Sequence, residues 1–483
     1  MPIWVYHALL SIIIFMRALL YRALILLTVI GLIIVPPITT GYASLRQAQV
    51  AYVARDNLRA SKAYERAATL LPWRPDLWDL AGITRFQTKD YEDSIRLLEI
   101  ARKEDVLSDV GWDVLGISYF HTERVDEATM AWESGLESFP EYSKYYSHLI
   151  FIYHERGDTQ AEKHALERWV ASDGATDAAA HYRLGQLLSI SEPERALEEF
   201  TLASSLDSEY DSAVETMRTA LNLATLETED SKKLVFIGRG LGLINEWSLA
   251  QKAFRQAVEA DGENPEAWAW LGEAEQQLGR DGRVELNRAL KYGRTDPIVR
   301  SLRGLYWMRQ GHGKQALAEY LLAAEYDPDN PAWQISIGDA YALSGDLQAA
   351  LESYFRATEI EPTDSTIWRA LAAFSAQYNM QVEEVGLPAA QTAVELGGED
   401  PLALDTLGWT LALLERYDEA QDTLEQALEL DPDFAQVHLH LGIVAMQTDN
   451  WEVAGDHLRR ARELDGDGPV GEQVQVLLNQ YFP

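Results

Sequence analysis

The chain opens with a long apolar stretch, residues 3–35, broken by His7, Ser11, Arg17 and Arg22. As one helix it would run about 50 Å, well beyond the ~30 Å hydrocarbon core of a bilayer. The part Ala18–Val35 covers about 27 Å and is just long enough to span. The pattern therefore predicts a transmembrane helix over about 18–36, stopped by Pro36 and Pro37. Two other readings stay open. If translation starts at Met16 rather than Met1, Met16–Arg22 is a basic n-region, Ala23–Val35 an h-region, and Gly41-Tyr42-Ala43 a small-x-small cleavage site of a secretory signal. A buried core helix is the third. Arg17 and Arg22 lie closer to the run than Arg46 or Arg55 on its other side. That bias places the N-terminus inside and the bulk of the chain outside the cytoplasmic face.

From residue 41 onward the apolar positions change character. They recur at helical period in pairs of short sets, each pair separated by a Gly or polar turn. The pairs repeat every 34 residues: Trp78-Asp-Leu-Ala-Gly82 matches Trp112-Asp-Val-Leu-Gly116. Gly116, Ala128, Trp132, Gly135 and Pro140 fall at fixed steps. The steps recur in Gly338, Ala350, Tyr354, Ala357 and Pro362, and in Gly408, Ala420, Leu424, Ala427 and Pro432. Small residues mark where the two helices of a pair cross closely; Trp112, Tyr119 and Trp132 fill the seam. Units open near 41, 75, 109, 143, 178, 231, 263, 297, 331, 365, 401 and 435, which is about 12 pairs. One pair cannot bury its own apolar face, so stacking must bury it against neighbours.

This set of residues resembles the tetratricopeptide repeat (TPR) family, over about nine-tenths of the chain. The resemblance implies an all-α solenoid of about 12 TPR-type helix pairs wound into a superhelix, whose first helices line a concave groove that binds proteins or peptides. It departs from the family pattern in places. The unit from 143 has Ile150 where a small residue is usual and Trp169 where Ala is usual. The unit from 178 is one residue short between Leu188 and Ala196, and the unit from 365 carries about two extra residues around Glu383–Gly386. The organisation expected is a hydrophobic segment 1–40, an N-terminal repeat block 41–208, an unpaired joint helix 209–230, a C-terminal block 231–468 and a capping helix within 469–483, centred on Gly471–Leu478.

Charge and composition narrow the function. Asp and Glu number 76 against 41 Lys and Arg, a net charge of −35. Such a surface repels phosphate backbones, so nucleic acid is not expected as a partner. The chain has no Cys, which excludes disulfides, Cys-ligated zinc, iron–sulfur clusters and thiol catalysis. Gly238-Arg-Gly-Leu-Gly242 lacks the rest of a phosphate loop, and Gly238 falls at a helix-crossing position. His438 and His440, two apart on a helix, face different ways. Asp465-Gly-Asp-Gly468 lacks the later ligands of a calcium loop. The repeats and caps use the chain from 41 on, so no catalytic residues, cofactor or metal site are expected.

Binding residues are sought on the first helices. Asp79 and Asp113, and Phe86 and Phe120, are each 34 apart and form rungs across stacked units. Phe151, His154 and Tyr182 continue the series, and His121 adjoins Phe120. Such rungs suit an extended segment with apolar and basic side chains; the competing reading makes the phenylalanines packing residues between helices. Arg239, Arg369 and Trp409 are the groove candidates of the C-terminal block. The Lys and Asn clamp with which some TPR cochaperones hold an acidic C-terminal tail is not matched: those places carry Asp76, Asp79, Val110, Asp113 and Ile117. The function expected is a non-enzymatic, membrane-tethered scaffold for protein or peptide partners on the extracytoplasmic side, in envelope assembly, secretion or polysaccharide export. It would be secreted if the N-terminal segment is cleaved. The alternatives are an accessory arm of a separately encoded glycosyltransferase or ligase, and a cytoplasmic-facing adaptor.

Overall fold

The computed structural model describes residues 3–482. No side chain is described before Phe15, so His7 and Ser11 lie outside the described side chains, and Met1, one of the two candidate starts, lies outside the described residues. Among the described residues there are helices and turns and no strand. The chain divides into two compact units, Met1–Val214 and Glu215–Pro483.

Unit 1 begins with α1 (Ile3–Val53), a single helix of 51 residues with Pro36 and Pro37 inside it. The prolines, expected to end it, do not. Each removes one backbone donor, but the turns beyond them are fixed from outside: Gly41, Ser44, Ala48 and Ala51 are buried against α2 (Asn57–Leu70). That tertiary support outweighs the local penalty of proline in a helix. The tail of α1 thus forms the first pair with α2. The next pairs are α3 (Asp76–Phe86) with α4 (Tyr91–Lys103), α5 (Asp109–His121) with α6 (Val125–Ser138), α7 (Lys144–Glu155) with α8 (Thr159–Val170), and α9 (Ala178–Leu188) with α10 (Pro193–Leu206).

In unit 1 the turn inside every pair but α9/α10 has one left-handed residue. Arg55, Lys89, Glu123 and Gly157, spaced 34 apart, all have φ between 58° and 65°. Only Gly157 adopts this conformation without steric cost. Side-chain caps start many helices: Asp56, Asp90, Ser108, Asp158 and Asp177 each accept a backbone N–H from the first turn.

The division between units falls within α11 (Asp211–Leu226). In unit 2, α12 (Asp230–Leu243) pairs with α13 (Trp247–Ala260), α14 (Pro265–Gln277) with α15 (Arg283–Tyr292), and α16 (Pro297–Arg309) with α17 (Gly313–Tyr326). Then come α18 (Pro331–Leu343) with α19 (Leu347–Ile360), α20 (Ser365–Gln377) with α21 (Leu387–Gly397), α22 (Pro401–Leu413) with α23 (Tyr417–Leu430), and α24 (Ala435–Gln447) with α25 (Trp451–Asp465). The extra residues after α20 form a single π-turn, Val382–Gly386. The last helix, α26 (Pro469–Tyr481), covers the open face of the final pair through Val474, packed with Leu439, Leu458 and Ala461. Close crossing uses the small positions: a Cβ on Gly338 would lie 2.8 Å from the Tyr354 ring, and one on Gly116 would strike the Trp132 indole.

Candidate functional site

The rungs read from the 34-residue register do not all share one fate. Asp79 and Asp113 are buried, not displayed. The Ser108 hydroxyl donates to Asp79 Oδ2 at 2.7 Å, and the Tyr142 hydroxyl donates to Asp113 Oδ2 at 3.3 Å. Asp113 Oδ1 also lies 3.1 Å from His148 Nε2. Ser108 and Tyr142 are themselves 34 apart, so the two carboxylates make the same staple from one pair to the next. Burial pushes the Asp79 carboxyl up to about 6, against the lowering effect of Ser108. An expected role in reading a basic side chain of a partner is replaced by an internal one. The register correctly put both on equivalent positions, but equivalence says nothing about exposure.

The phenylalanines also separate. Phe86 is half-buried and packs against the core of unit 1. It is a seam residue, as the competing reading has it. Phe120 is 39% exposed and Phe151 53% exposed, and their rings meet edge to face at 6.3 Å. His121 stacks on Tyr91 at 4.4 Å and touches Phe120 edge-on at 6.4 Å. A continuous strip of rings thus runs from Tyr91 through His121 and Phe120 to Phe151. The Tyr182 ring lies against Phe200 and Tyr210, at 5.8 and 4.7 Å.

Beside Phe151 a cleft of about 400 Å³ opens between α7, α8 and α9. Its wall is mostly apolar: Ile150, Phe151, Leu166, Trp169 and Ala180. Three substitutions in one repeat create it. Ile150 stands where Gly116 stands one repeat earlier, Glu162 where Ala128 stands, and Trp169 where Gly135 stands. Bulk at all three crossing positions keeps α7 and α8 from closing as α5 and α6 do. Trp169 is tied by its indole N–H to Asp177 at 2.9 Å, which holds the far wall.

Glu162 is the residue that sequence reasoning missed. Its side chain is 1% exposed at the base of the cleft. Arg183 grips it through Nε at 2.7 Å and Nη2 at 3.2 Å, and His154 Nδ1 lies 3.1 Å away. Arg183 also donates to Gln186 at 2.9 Å. A carboxylate so dry is tolerable only with such partners. The signal was available: an acid 34 residues after Ala128, at a position whose other occupants are small. The arrangement can seat a bulky apolar side chain against Ile150, Leu166 and Trp169, with polar groups fixed below it.

In unit 2 the candidates are dispersed. Arg239 lies over the Trp270 ring at 5.2 Å and near Phe236 at 5.7 Å. Arg369 is partly buried, its Nε without a hydrogen-bond partner. Trp409 stacks on His440 at 4.4 Å in a more polar cleft of about 490 Å³ with Gln377, Asp405 and Gln436. His440 Nδ1 is 2.7 Å from Asp405, whereas His438 Nδ1 meets His457 at 2.9 Å, so the two histidines point to different neighbours. Gly238 is packed on the Phe254 ring.

Comparison with known proteins completes the picture. The chain is 25% identical over 358 residues to superkiller complex protein 3 of Homo sapiens, covering 68% of this chain and 21% of that protein. It is 23% identical over 226 residues to the peroxisomal targeting signal receptor of Candida albicans, covering 44% and 37%. With the human cell division cycle protein 16 homolog it shares 25% identity over 245 residues, 47% of this chain and 39% of that one. The chain therefore spans between about a fifth and two fifths of these relatives. Among solved structures, yeast Tom70 aligns with a TM-score of 0.43 at 16% identity, covering 85% of this chain and 96% of that one. Cut9 with Hcn1 from the APC/C gives 0.39 at 13%, covering 92% and 96%. The tetratricopeptide repeat family model matches residues 244–290, 301–365 and 406–469, all in unit 2, and the pairs of unit 1 repeat the same register. Residues 244–290, 301–365 and 406–469 therefore carry tetratricopeptide repeats.

Proposed function

We propose that the chain is a membrane-tethered scaffold without catalytic activity, whose N-terminal unit holds an extended protein segment along α5, α7 and α9. A bulky apolar side chain of that segment sits in the cleft, and its neighbours lie along Phe120 and Phe151. The observation that supports this most is the exposed pair of rings beside an open apolar cleft, in a repeat that has lost all three of its small crossing residues. Large exposed aromatics beside a pocket are what binding hot spots use. The acidic field of a chain carrying −35 charges would favour basic flanks on the segment by steering. The relatives whose names speak of a complex or a targeting signal fit a scaffold role.

The test is photo-cross-linking from position 151 in native membranes, with Met130, 60% exposed, as the control position. The reading expects defined protein adducts from 151 and none of the same from 130. Equal labelling from both would remove the groove.

The tether is the apolar part of α1. Phe15–Val53 is the one candidate span among the described residues, with none of its most apolar window buried. We place the N-terminus inside and the repeats on the extracytoplasmic side, in envelope assembly, secretion or polysaccharide export. Protease added to intact spheroplasts should digest the repeats; full protection would reverse the orientation. Mass spectrometry of the mature N-terminus should find residues before Ala18. A start at Ser44 would identify a cleaved signal.

A further inference from the structure

The acidic excess of the chain is reversed where it leaves the span. Between residues 41 and 75 there are six cations, Arg46, Arg55, Arg59, Lys62, Arg66 and Arg74, and two acids, Asp56 and Glu65. Both acids are engaged: Asp56 caps α2, and Glu65 accepts from Arg96 at 2.8 Å. Arg74 is paired with Asp76 at 2.7 Å. The other five cations have no ion pair among the described residues. Arg46, Arg59, Lys62 and Arg66 instead line two adjoining clefts, of about 330 and 370 Å³, which share Gln47, Arg59 and the capping Asp56.

The path of the chain brings part of this surface back to the bilayer. After the turn at 54–56, α2 runs antiparallel along the tail of α1, and its end packs where Gly41 has no side chain: a Cβ there would be 2.7 Å from Leu71. The loop Leu71–Arg74 therefore lies level with Gly41 and Tyr42. Tyr42 is seven residues past Val35, about 10 Å along the helix, just outside a headgroup layer that extends roughly 5–8 Å beyond a ~30 Å core, and its side chain tilts back toward the helix N-terminus and so into that layer. Tyr42 is 48% exposed and Trp73 52% exposed. Tyrosine and tryptophan favour that depth; Arg46, and Arg66 level with it on α2, lie about 6 Å further out, with long stems that can lower their cations toward phosphate.

We propose that the first helix pair is a membrane-docking collar, in which Tyr42 and Trp73 enter the headgroup layer and Arg46 and Arg66 bind anionic phospholipid headgroups. This rests on α1 being a membrane span. The occupant is the lipid surface rather than an acidic protein, because the patch continues the helix that enters the bilayer and is held at its surface. Two aromatics and two cations then fix the tilt at which the repeats leave the membrane, which a bare span would leave free.

The absence of Cys makes the test direct, since one introduced Cys carries one label. Full-length chain is reconstituted in phosphatidylcholine vesicles with and without phosphatidylglycerol, with an environment-sensitive fluorophore at Thr28→Cys, Tyr42→Cys, Trp73→Cys or Met130→Cys. Lipids spin-labelled in the headgroup or mid-chain serve as quenchers. The collar expects mid-chain quenching at 28, headgroup quenching at 42 and 73, and neither at 130. Adding Arg46→Glu and Arg66→Glu should then remove headgroup quenching at 73 in phosphatidylglycerol vesicles while 28 is unchanged. No quenching at 28 would overturn the span itself. Quenching at 28 with positions 42 and 73 behaving like 130 would overturn the collar alone. Headgroup quenching at 73 that survives both charge reversals would overturn the assignment to Arg46 and Arg66.

Discussion

The pairs α5/α6 and α7/α8 are adjacent, equal in length of repeat and opposite in design. In the first, Gly116, Ala128 and Gly135 let the helices close, with Trp132 seated on Gly116 and Trp112 against Gly135, which also receives Tyr145 from the next pair. In the second, Ile150, Glu162 and Trp169 hold the helices apart around a cleft. A repeat can thus be turned from a spacer into a receptor by three side chains without losing its register. The requirement is that the buried polar group it gains be matched, here by Arg183 and His154.

The comparison breaks most visibly if that match is removed. Arg183→Met leaves Glu162 buried with only His154 and should cost about 3–5 kcal/mol in chemical denaturation. Glu162→Ala combined with Arg183→Met should recover most of it, because Ala is what the position holds one repeat earlier. A neutral Arg183→Met would mean that Glu162 is not dry, and the account of the cleft base would fail.

The reciprocal change transplants the wedge. Gly116→Ile puts at the closed crossing the residue that occupies the open one. Trp132 is 2% exposed and has no room to yield, so the loss should be about 3 kcal/mol, at the upper end for overpacking. At Ile150→Gly the cleft loses its wall and affinity should weaken, and stability should also fall, by about 2 kcal/mol, because Ile150 packs on the core of unit 1 and glycine is unfavourable inside α7. If Gly116→Ile were tolerated, crossing size would not be what separates the two pairs.

A smaller effect sharpens the contrast between staple and groove. The Asp79 carboxyl is raised to about 6, so the folded chain binds this proton more tightly than the unfolded chain does. Stability should therefore fall as pH rises from about 4 to about 6 and stay lower above it, by on the order of 3 kcal/mol. Asp79→Asn, which still accepts from Ser108, should remove that fall and raise the melting temperature at pH 7. A stability profile unchanged by Asp79→Asn would contradict the burial of the charge.

Much of this was legible in the sequence. The helix pairs follow from small residues and turns 34 apart, because a stack of like pairs reuses one kind of crossing and, in most pairs, one left-handed turn residue. The path of α1 was not legible: Pro36 and Pro37 read as a stop, and only packing of Ala48 and Ala51 on α2 shows why the helix continues. Asp79 and Asp113 were placed correctly in register but on the wrong side of the solvent boundary, and Phe86 follows the packing reading, since periodicity marks a face and not its depth. Ile150 and Trp169 stood out as departures, yet Glu162 between them was overlooked. Its meaning depends on Arg183, which lies in the next repeat.

The central claim is that Phe151 belongs to a binding surface and not to the core. Its most direct test takes a peptide selected from a random phage-displayed library against the full chain in nanodiscs. Affinity for that peptide and melting temperature are measured on the same preparations of wild type and Phe151→Ala. With Phe151 53% exposed, the melting temperature should barely move, as for surface substitutions, while affinity falls by about 1–2 kcal/mol, roughly 5- to 30-fold. Unchanged affinity with a large drop in melting temperature would contradict the account and return Phe151 to the packing of the repeat.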